Sequence, residues 1–175
     1  MEKIPSEWRP LRIVDLKGEL AGFDDWVLCG GYSVALVANG DTRDHGDIDI
    51  GVFRSEIDGC LHALGKERVF LCVDGKHVRW SGETVPAEVH DIWITDTVGK
   101  YWVLQVMLFD DEGDFVVYRR DRRIRWSKRH HSRIASGIRV LNPFVTLLFK
   151  THKPTLADKE VHDVIALIES GPEKK

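Results

Sequence analysis

A short apolar run ending in two glycines, followed by a strand with alternate aspartates, constrains this chain more than any other feature. Trp26-Val27-Leu28-Cys29 reads as a short buried strand, broken by Gly30-Gly31. Tyr32 to Ala38 suits a short helix. Ile48 and Ile50 then alternate with Asp47, Asp49 and Gly51, the period-two pattern of a strand with one wet face. Carboxylates two residues apart on a strand project from the same side. The fold must therefore hold two like charges together, close to a turn that lacks side chains.

The rest of the chain sorts around that unit. Pro10 opens a helix whose Leu11, Ile13, Leu16 and Leu20 run to Gly22. Ser55 with Asp58 resembles a capping box and predicts a helix to about Gly65. Val69 to Val73, an Asp74-Gly75 turn and His77 to Trp80 predict a hairpin. Ala87 to Thr95, Tyr101 to Phe109 and Phe115 to Tyr118 follow as strands, with Asp110 to Gly113 as the last turn. Asn142-Pro143 caps a short helix through Lys150. Thr155, with Asp158 three residues on, opens a final helix. Val161, Val164, Ile165 and Ile168 give that helix its apolar face, and Gly171-Pro172 end it. This order predicts an α+β fold with a mixed or antiparallel sheet in residues 1–140 and a C-terminal helical segment, 141–175, packed on it.

Composition narrows the class. A chain of 175 residues buries about 70% of its unfolded surface and needs no disulfide or structural metal to fold. No stretch approaches a membrane span and the start lacks a signal-peptide pattern, so no membrane partner is expected. Three separated cysteines, Cys29, Cys60 and Cys72, fit free thiols in a reducing cytoplasm. The net charge of −3 hides an asymmetry: Arg119 to Arg133 sums to +7 and the remainder to −10. One basic stripe on an acidic body argues against general duplex nucleic-acid binding and fits a local anion site or a solvated strand end. Trp80, Trp93, Trp102 and Trp126 read as core or sheet surface rather than a base-stacking platform.

The chemistry resides in Thr42-Arg43-Asp44-His45-Gly46-Asp47-Ile48-Asp49-Ile50 and the preceding glycines. Adjacent carboxylates raise one another's pKa unless a cation sits between them. Hard oxygen ligands suit Mg²⁺, which takes one or two protein carboxylates together with substrate phosphates. Paired glycines at a strand-to-helix junction admit a phosphate close to the backbone and to helix N-terminal amides. Arg43 and His45 supply donors for phosphate oxygens.

Gly30-Gly31 followed by Arg43-x-His45-x-Asp47-Ile48-Asp49 resembles the signature of the DNA polymerase β-like nucleotidyltransferase superfamily, and most closely its aminoglycoside 2''- and lincosamide nucleotidyltransferase group. Glu88-Val89-His90-Asp91-Ile92-Trp93 resembles the later strand that supplies that group's third carboxylate, and Asn142-Pro143 through Lys150 its closing helical segment. Pro154 to Lys159 departs from the group's more basic lead-in to the last helix. The resemblance implies transfer of a nucleoside monophosphate, most simply from ATP, to a hydroxyl, with Mg²⁺ or Mn²⁺ as cofactor. Asp47, Asp49 and Asp91 would be the catalytic and metal-binding carboxylates, with Glu88 the competitor for the third place. Gly30, Gly31, Ser33, Arg43, His45 and Lys150 would bind the nucleotide. The implied partners are a nucleoside triphosphate and a small acceptor such as an antibiotic, with a second copy of the chain as a further partner. A toxin or regulator that modifies RNA or protein, and an inactive nucleotide-binding module, are the alternatives.

Overall fold

Val27–Cys29 (β1) and Asp49–Phe53 (β2) lie antiparallel at the centre of an eight-stranded sheet, with Leu28 opposite Ile50 and Cys29 opposite Asp49. Beyond β2 come Trp102–Phe109 (β6), Asp91–Thr95 (β5), Val69–Val73 (β3) and Lys76–Arg79 (β4). Beyond β1 come Ile138–Leu141 (β11) and Ser132–Ala135 (β10). The pairs β1–β11 and β2–β6 are parallel and the others antiparallel, so the sheet is mixed. Asp111–Glu112 (β7), Phe115–Val117 (β8) and Arg125–Ser127 (β9) form a small second sheet. The computed structural model describes residues 4–40 and 43–171.

Alternation in the strands decides which side is filled. Leu28, Ile48, Ile50, Val52, Ile92, Ile94, Leu104, Val106 and Val140 are buried together on one face. Leu16 of a short helix (α1, Leu16–Glu19), Val34 and Val37 of α2 (Gly30–Val37), and α3 (Ile57–Leu64) cover them. α3 offers Ile57, Cys60, Leu61 and Leu64, an apolar stripe at helical spacing. On the opposite face Val27, Cys29, Phe109 and Leu141 pack with Val116 of β8 and with Val145 and Phe149 of α4 (Pro143–Lys150). Asn142 caps α4, its side chain accepting from the Phe144 amide at 2.9 Å. The last helix, α5 (Asp158–Glu169), packs on α2 and α4. No helix among the described residues is long and apolar enough to cross a membrane.

Several local expectations are corrected. Pro10 does not open a helix: Arg9 and Leu11 donate their amides to Trp102 and Val103, so this segment runs extended beside β6 and turns helical only at Ile13. Ser55 does not cap α3, because its amide and hydroxyl both bond the Asp111 carboxylate. The strand expected from Ala87 begins at Asp91, the preceding residues closing a turn in which Val89 donates to Pro86. Asp111–Glu112, read as a turn, pairs with β8. Strands β9, β10 and β11, unassigned from sequence, complete both sheets. Thr155 does not open α5; the N-cap is Ala157, whose amide donates to Glu160 at 2.8 Å. The expected apolar face of α5 is largely solvent-facing, with Val161, Ile165 and Ile168 at 41%, 50% and 66% exposure. Asp163 and Leu167 face inward instead. Pro172 lies outside the described residues, as does Thr42.

Cys29 and Cys60 are buried and Cys72 partly buried, all as free thiols. Burial pushes the Cys60 thiol up to about 12, and burial together with the Asp49 charge pushes Cys29 up as well, so both stay protonated. Trp80 and Trp102 are buried; Trp93 and Trp126 are partly covered.

Candidate active site

The end of β1 and the start of β2 meet through a glycine that has no alternative. Gly30 opens α2 with φ +63°, and a Cβ there would lie 2.0 Å from Oδ2 of Asp49. A Cβ at Gly31 would lie 2.4 Å from Nδ1 of His45 and 2.6 Å from Nη2 of Arg43. The two bare residues thus let the Arg43–Asp49 segment close directly over the first turn of α2. Ser33, 1% exposed, donates its hydroxyl to the Gly30 carbonyl at 2.8 Å and braces that turn. The His45 ring lies against Tyr32, with centroids 4.4 Å apart.

Strand register places the third carboxylate. Asp49 is opposite Gln105 of β6, and Asp91 of β5 is opposite Met107. Opposite residues share a face and residues two apart along a strand do too, so Asp49, Gln105 and Asp91 project from one side of the sheet. Gln105 donates to Asp91 Oδ1 at 3.1 Å. Asp47 follows a bend at Gly46 and precedes β2, partly buried and within electrostatic range of Asp49. Glu88 is exposed, in the turn before β5 and outside its ladder. Arg54 fixes that turn by donating to Asp110 at 2.7 Å and to the Val89 carbonyl at 2.7 Å, with Nη2 also 3.1 Å from Nδ1 of His90.

Electrostatics mark Asp49 as the stressed group. Burial first, then repulsion from Asp47 and Asp91, pushes it up to about 7, against the opposing pull of Lys150 and Lys159. A bound cation would relieve that repulsion. No three His, Cys, Asp or Glu side chains among the described residues close into a ready-made metal cage. Hard carboxylate oxygens without such a cage suit an ion that brings its remaining ligands as water and phosphate.

Positive charge is arranged around the carboxylates. Arg43 donates Nε and Nη2 to the two oxygens of Asp163 at 3.0 and 2.9 Å, and Lys150 donates to Asp163 Oδ2 at 2.8 Å. On the Asp91 side, Arg119 is partly buried above the Phe149 ring. Burial lowers its pKa, while the Asp91 charge opposes that shift. The rest of the basic stripe is largely satisfied internally. Arg122 and Arg125 pair with Glu112, Arg123 with Asp121, and Lys128 with Asp111.

Sequence reasoning passed over Asp163, Gln105 and Arg54. Gln105 carried a signal, being the lone amide in the apolar run of β6. Asp163 carried only a weak one, an acid four residues before Leu167 on the same helix face.

No protein-family model matches the sequence, and no curated protein matches it. Among solved structures, the chain is similar to the lincomycin-bound crystal structure of the lincosamide antibiotic adenylyltransferase LnuA, with a TM-score of 0.57 and 16% identity. The match covers 91% of this chain and 94% of that one. At that identity the likeness is one of fold: the α+β architecture with a mixed sheet is shared with an adenylyltransferase.

Proposed function

We propose that the chain is a metal-dependent nucleotidyltransferase that moves a nucleoside monophosphate, AMP from ATP in the simplest case, to a hydroxyl of a small acceptor. The observation that carries this reading is the contact between Gly30 and Asp49, which sets a bare helix N-terminus against a carboxylate that shares its sheet face with Asp91. Asp47, Asp49 and Asp91 would hold Mg²⁺ or Mn²⁺. When bound, the ion neutralises the triphosphate and stabilises charge on the departing pyrophosphate.

The chain's own residues account for the remaining work. The backbone at Gly30 and Gly31 takes the phosphates close to the α2 amides, and Ser33 keeps that turn in shape. Arg43, His45 and Lys150 offer donors to the phosphate oxygens. Asp91, with Oδ1 engaged by Gln105, presents its other oxygen to the acceptor hydroxyl and takes its proton. The acceptor oxygen then bonds the α-phosphorus, the bond to the bridging oxygen breaks, and pyrophosphate leaves.

For the acceptor we propose a lincosamide or an aminoglycoside. LnuA, which shares the fold, holds lincomycin. The feature that would favour an RNA or protein target is the basic stripe from Arg119 to Arg133. Four of the eight cations there are already paired with neighbouring carboxylates, which favours the small acceptor.

The test is purified protein with ATP, Mg²⁺ and a panel of both antibiotic classes, read by the mass of the antibiotic. An adduct heavier by one adenylyl group is expected, and Asp47→Asn should abolish it. Failure to bind any nucleoside triphosphate by calorimetry would overturn the reading.

A further inference from the structure

We propose that Asp163 is a positioning residue: from the last helix it holds Arg43 and Lys150 so that their remaining N–H groups meet the β- and γ-phosphates of the triphosphate. This rests on the nucleotidyltransferase reading and adds a residue, and a helix, that the signature does not contain.

Asp163 is 0% exposed. A carboxylate wholly withdrawn from water stays ionised only when partners replace its hydration. Here they are the two nitrogens of the Arg43 fork and the Lys150 ammonium, all within 3.0 Å. Burial pushes the Asp163 pKa up, but the bonds from Arg43 and Lys150 outweigh it and hold the group below the usual carboxylate range. The exposed His162 ring lies close by, with Nδ1 3.9 Å from Oδ1.

Two cations on one anion leave a net positive charge beside the carboxylates. They also leave hydrogen-bonding capacity. Arg43 directs Nε and Nη2 to Asp163 and Nη1 to the Asp44 carbonyl, so among the described residues two of the guanidinium's five N–H groups remain. Lys150 commits one of its three. The Nη2 that bonds Asp163 is also the atom a Cβ at Gly31 would meet at 2.6 Å, so the fork lies directly over the first turn of α2. Arg43 senses Asp47 and Asp49, and Asp49 senses Lys150. Asp163 therefore joins the α2–β2 loop, α4 and α5 at the place where a polyphosphate would approach, and it removes the rotamer freedom that two long side chains would otherwise lose on binding.

The test compares Mg–ATP with AMP, which lacks the β- and γ-phosphates, by calorimetry. Asp163→Asn is expected to weaken ATP by about tenfold or more and to leave AMP within about twofold. Asp163→Glu keeps the charge but shifts the carboxylate, and should show a smaller loss of the same selectivity. Combined with Lys150→Met, Asp163→Asn should cost less than the product of the single losses, because both act through one group. Equal losses for ATP and AMP, or a lowered melting temperature with an unchanged ATP-to-AMP ratio, would make Asp163 a structural anchor and overturn the proposal. If Asp163→Asn does not fold, the Glu variant decides: an unchanged ratio overturns the proposal. Wild-type protein that binds neither ATP nor pyrophosphate overturns the enzymatic reading together with this one. Wild-type binding with unselective variants overturns this one alone.

Discussion

At Gly30 the backbone lies in the left-handed region, and the space a side chain would fill is occupied by the Asp49 carboxylate. Alanine there must strain the turn and push Asp49 aside. Strain at a positive φ costs about 1 kcal/mol, whereas displacing a catalytic carboxylate by an ångström can cost roughly a hundredfold in rate. In the nucleotidyltransferase reading, Gly30→Ala should therefore fold and yet lose about a hundredfold in transfer rate. Gly40, with open space where a Cβ would go, should accept alanine with activity intact. Equal activity losses in the two variants would refute the contact. A second residue-scale prediction concerns His131, which is 2% exposed and whose Nδ1 accepts from the Trp126 indole at 3.1 Å. Burial pushes it down from the ordinary 6.5 to about 4. The folded state keeps the ring neutral while the unfolded chain takes up a proton below pH 6.5. Its contribution is thus complete above pH 6.5 and declines as the pH falls towards 4, by at most about 3 kcal/mol. Urea unfolding at several pH values should show a shallower acid slope in His131→Phe; identical slopes would remove the group from the account. The carboxylates and glycines of the candidate site were visible in the sequence as residue types at a telling spacing. Asp163 and Gln105 act through contacts made only on folding, and spacing does not report those.

Among the elements, α5 shows why an apolar pattern alone misleads. Its strongest apolar periodicity, Val161, Ile165 and Ile168, faces solvent, while an aspartate occupies the buried stripe with Leu167. Ion pairs to Arg43 and Lys150 offset the desolvation of that aspartate, so the inward face of the helix joins a charged group to the core contact of Leu167. Replacing Ile165 by lysine should change stability by no more than about 0.5 kcal/mol. Leu167→Ala, which empties a core position, should cost about 2 to 5 kcal/mol. Denaturant midpoints compare the two, and a larger loss at Ile165 would mean the helix is turned the other way. Strand β5 teaches a related lesson. Its hydrophobic alternation was readable, but its start at Asp91 is set by Arg54 bonding the Val89 carbonyl and Asp110, a constraint from a distant turn. β10 and β11 were hidden by the arginines around them, which mask the alternation that Ile138 and Val140 carry in part.

Across the whole molecule, the sheet order gathers cations on both flanks of the carboxylates: Arg43, Lys150 and Lys159 act on the Asp49 side, and Arg119 on the Asp91 side. An α+β fold with a mixed or antiparallel sheet was legible from the order of periodic segments. This charge arrangement was not, because it depends on which distant loops the strands bring together. Arg119 differs from the paired arginines that follow it. Among the described residues it has no hydrogen-bond or ion-pair partner, although it is partly buried and its charge is disfavoured by desolvation. A cation kept in such a place does little for the folded state; in the nucleotidyltransferase reading it meets an oxygen-rich group of the substrate or of departing pyrophosphate. Arg119→Met retains contact with Phe149 and removes the unpaired charge, so it should unfold at the wild-type denaturant midpoint or above it. On that reading the transfer rate should fall by about tenfold or more, since a charge-assisted bond formed during the reaction is worth roughly 1.5 to 3 kcal/mol. Measured together, the two readouts separate the possibilities: a destabilised variant with normal turnover would make Arg119 part of the scaffold, and a stable, slow one places it at the reacting phosphates or the acceptor.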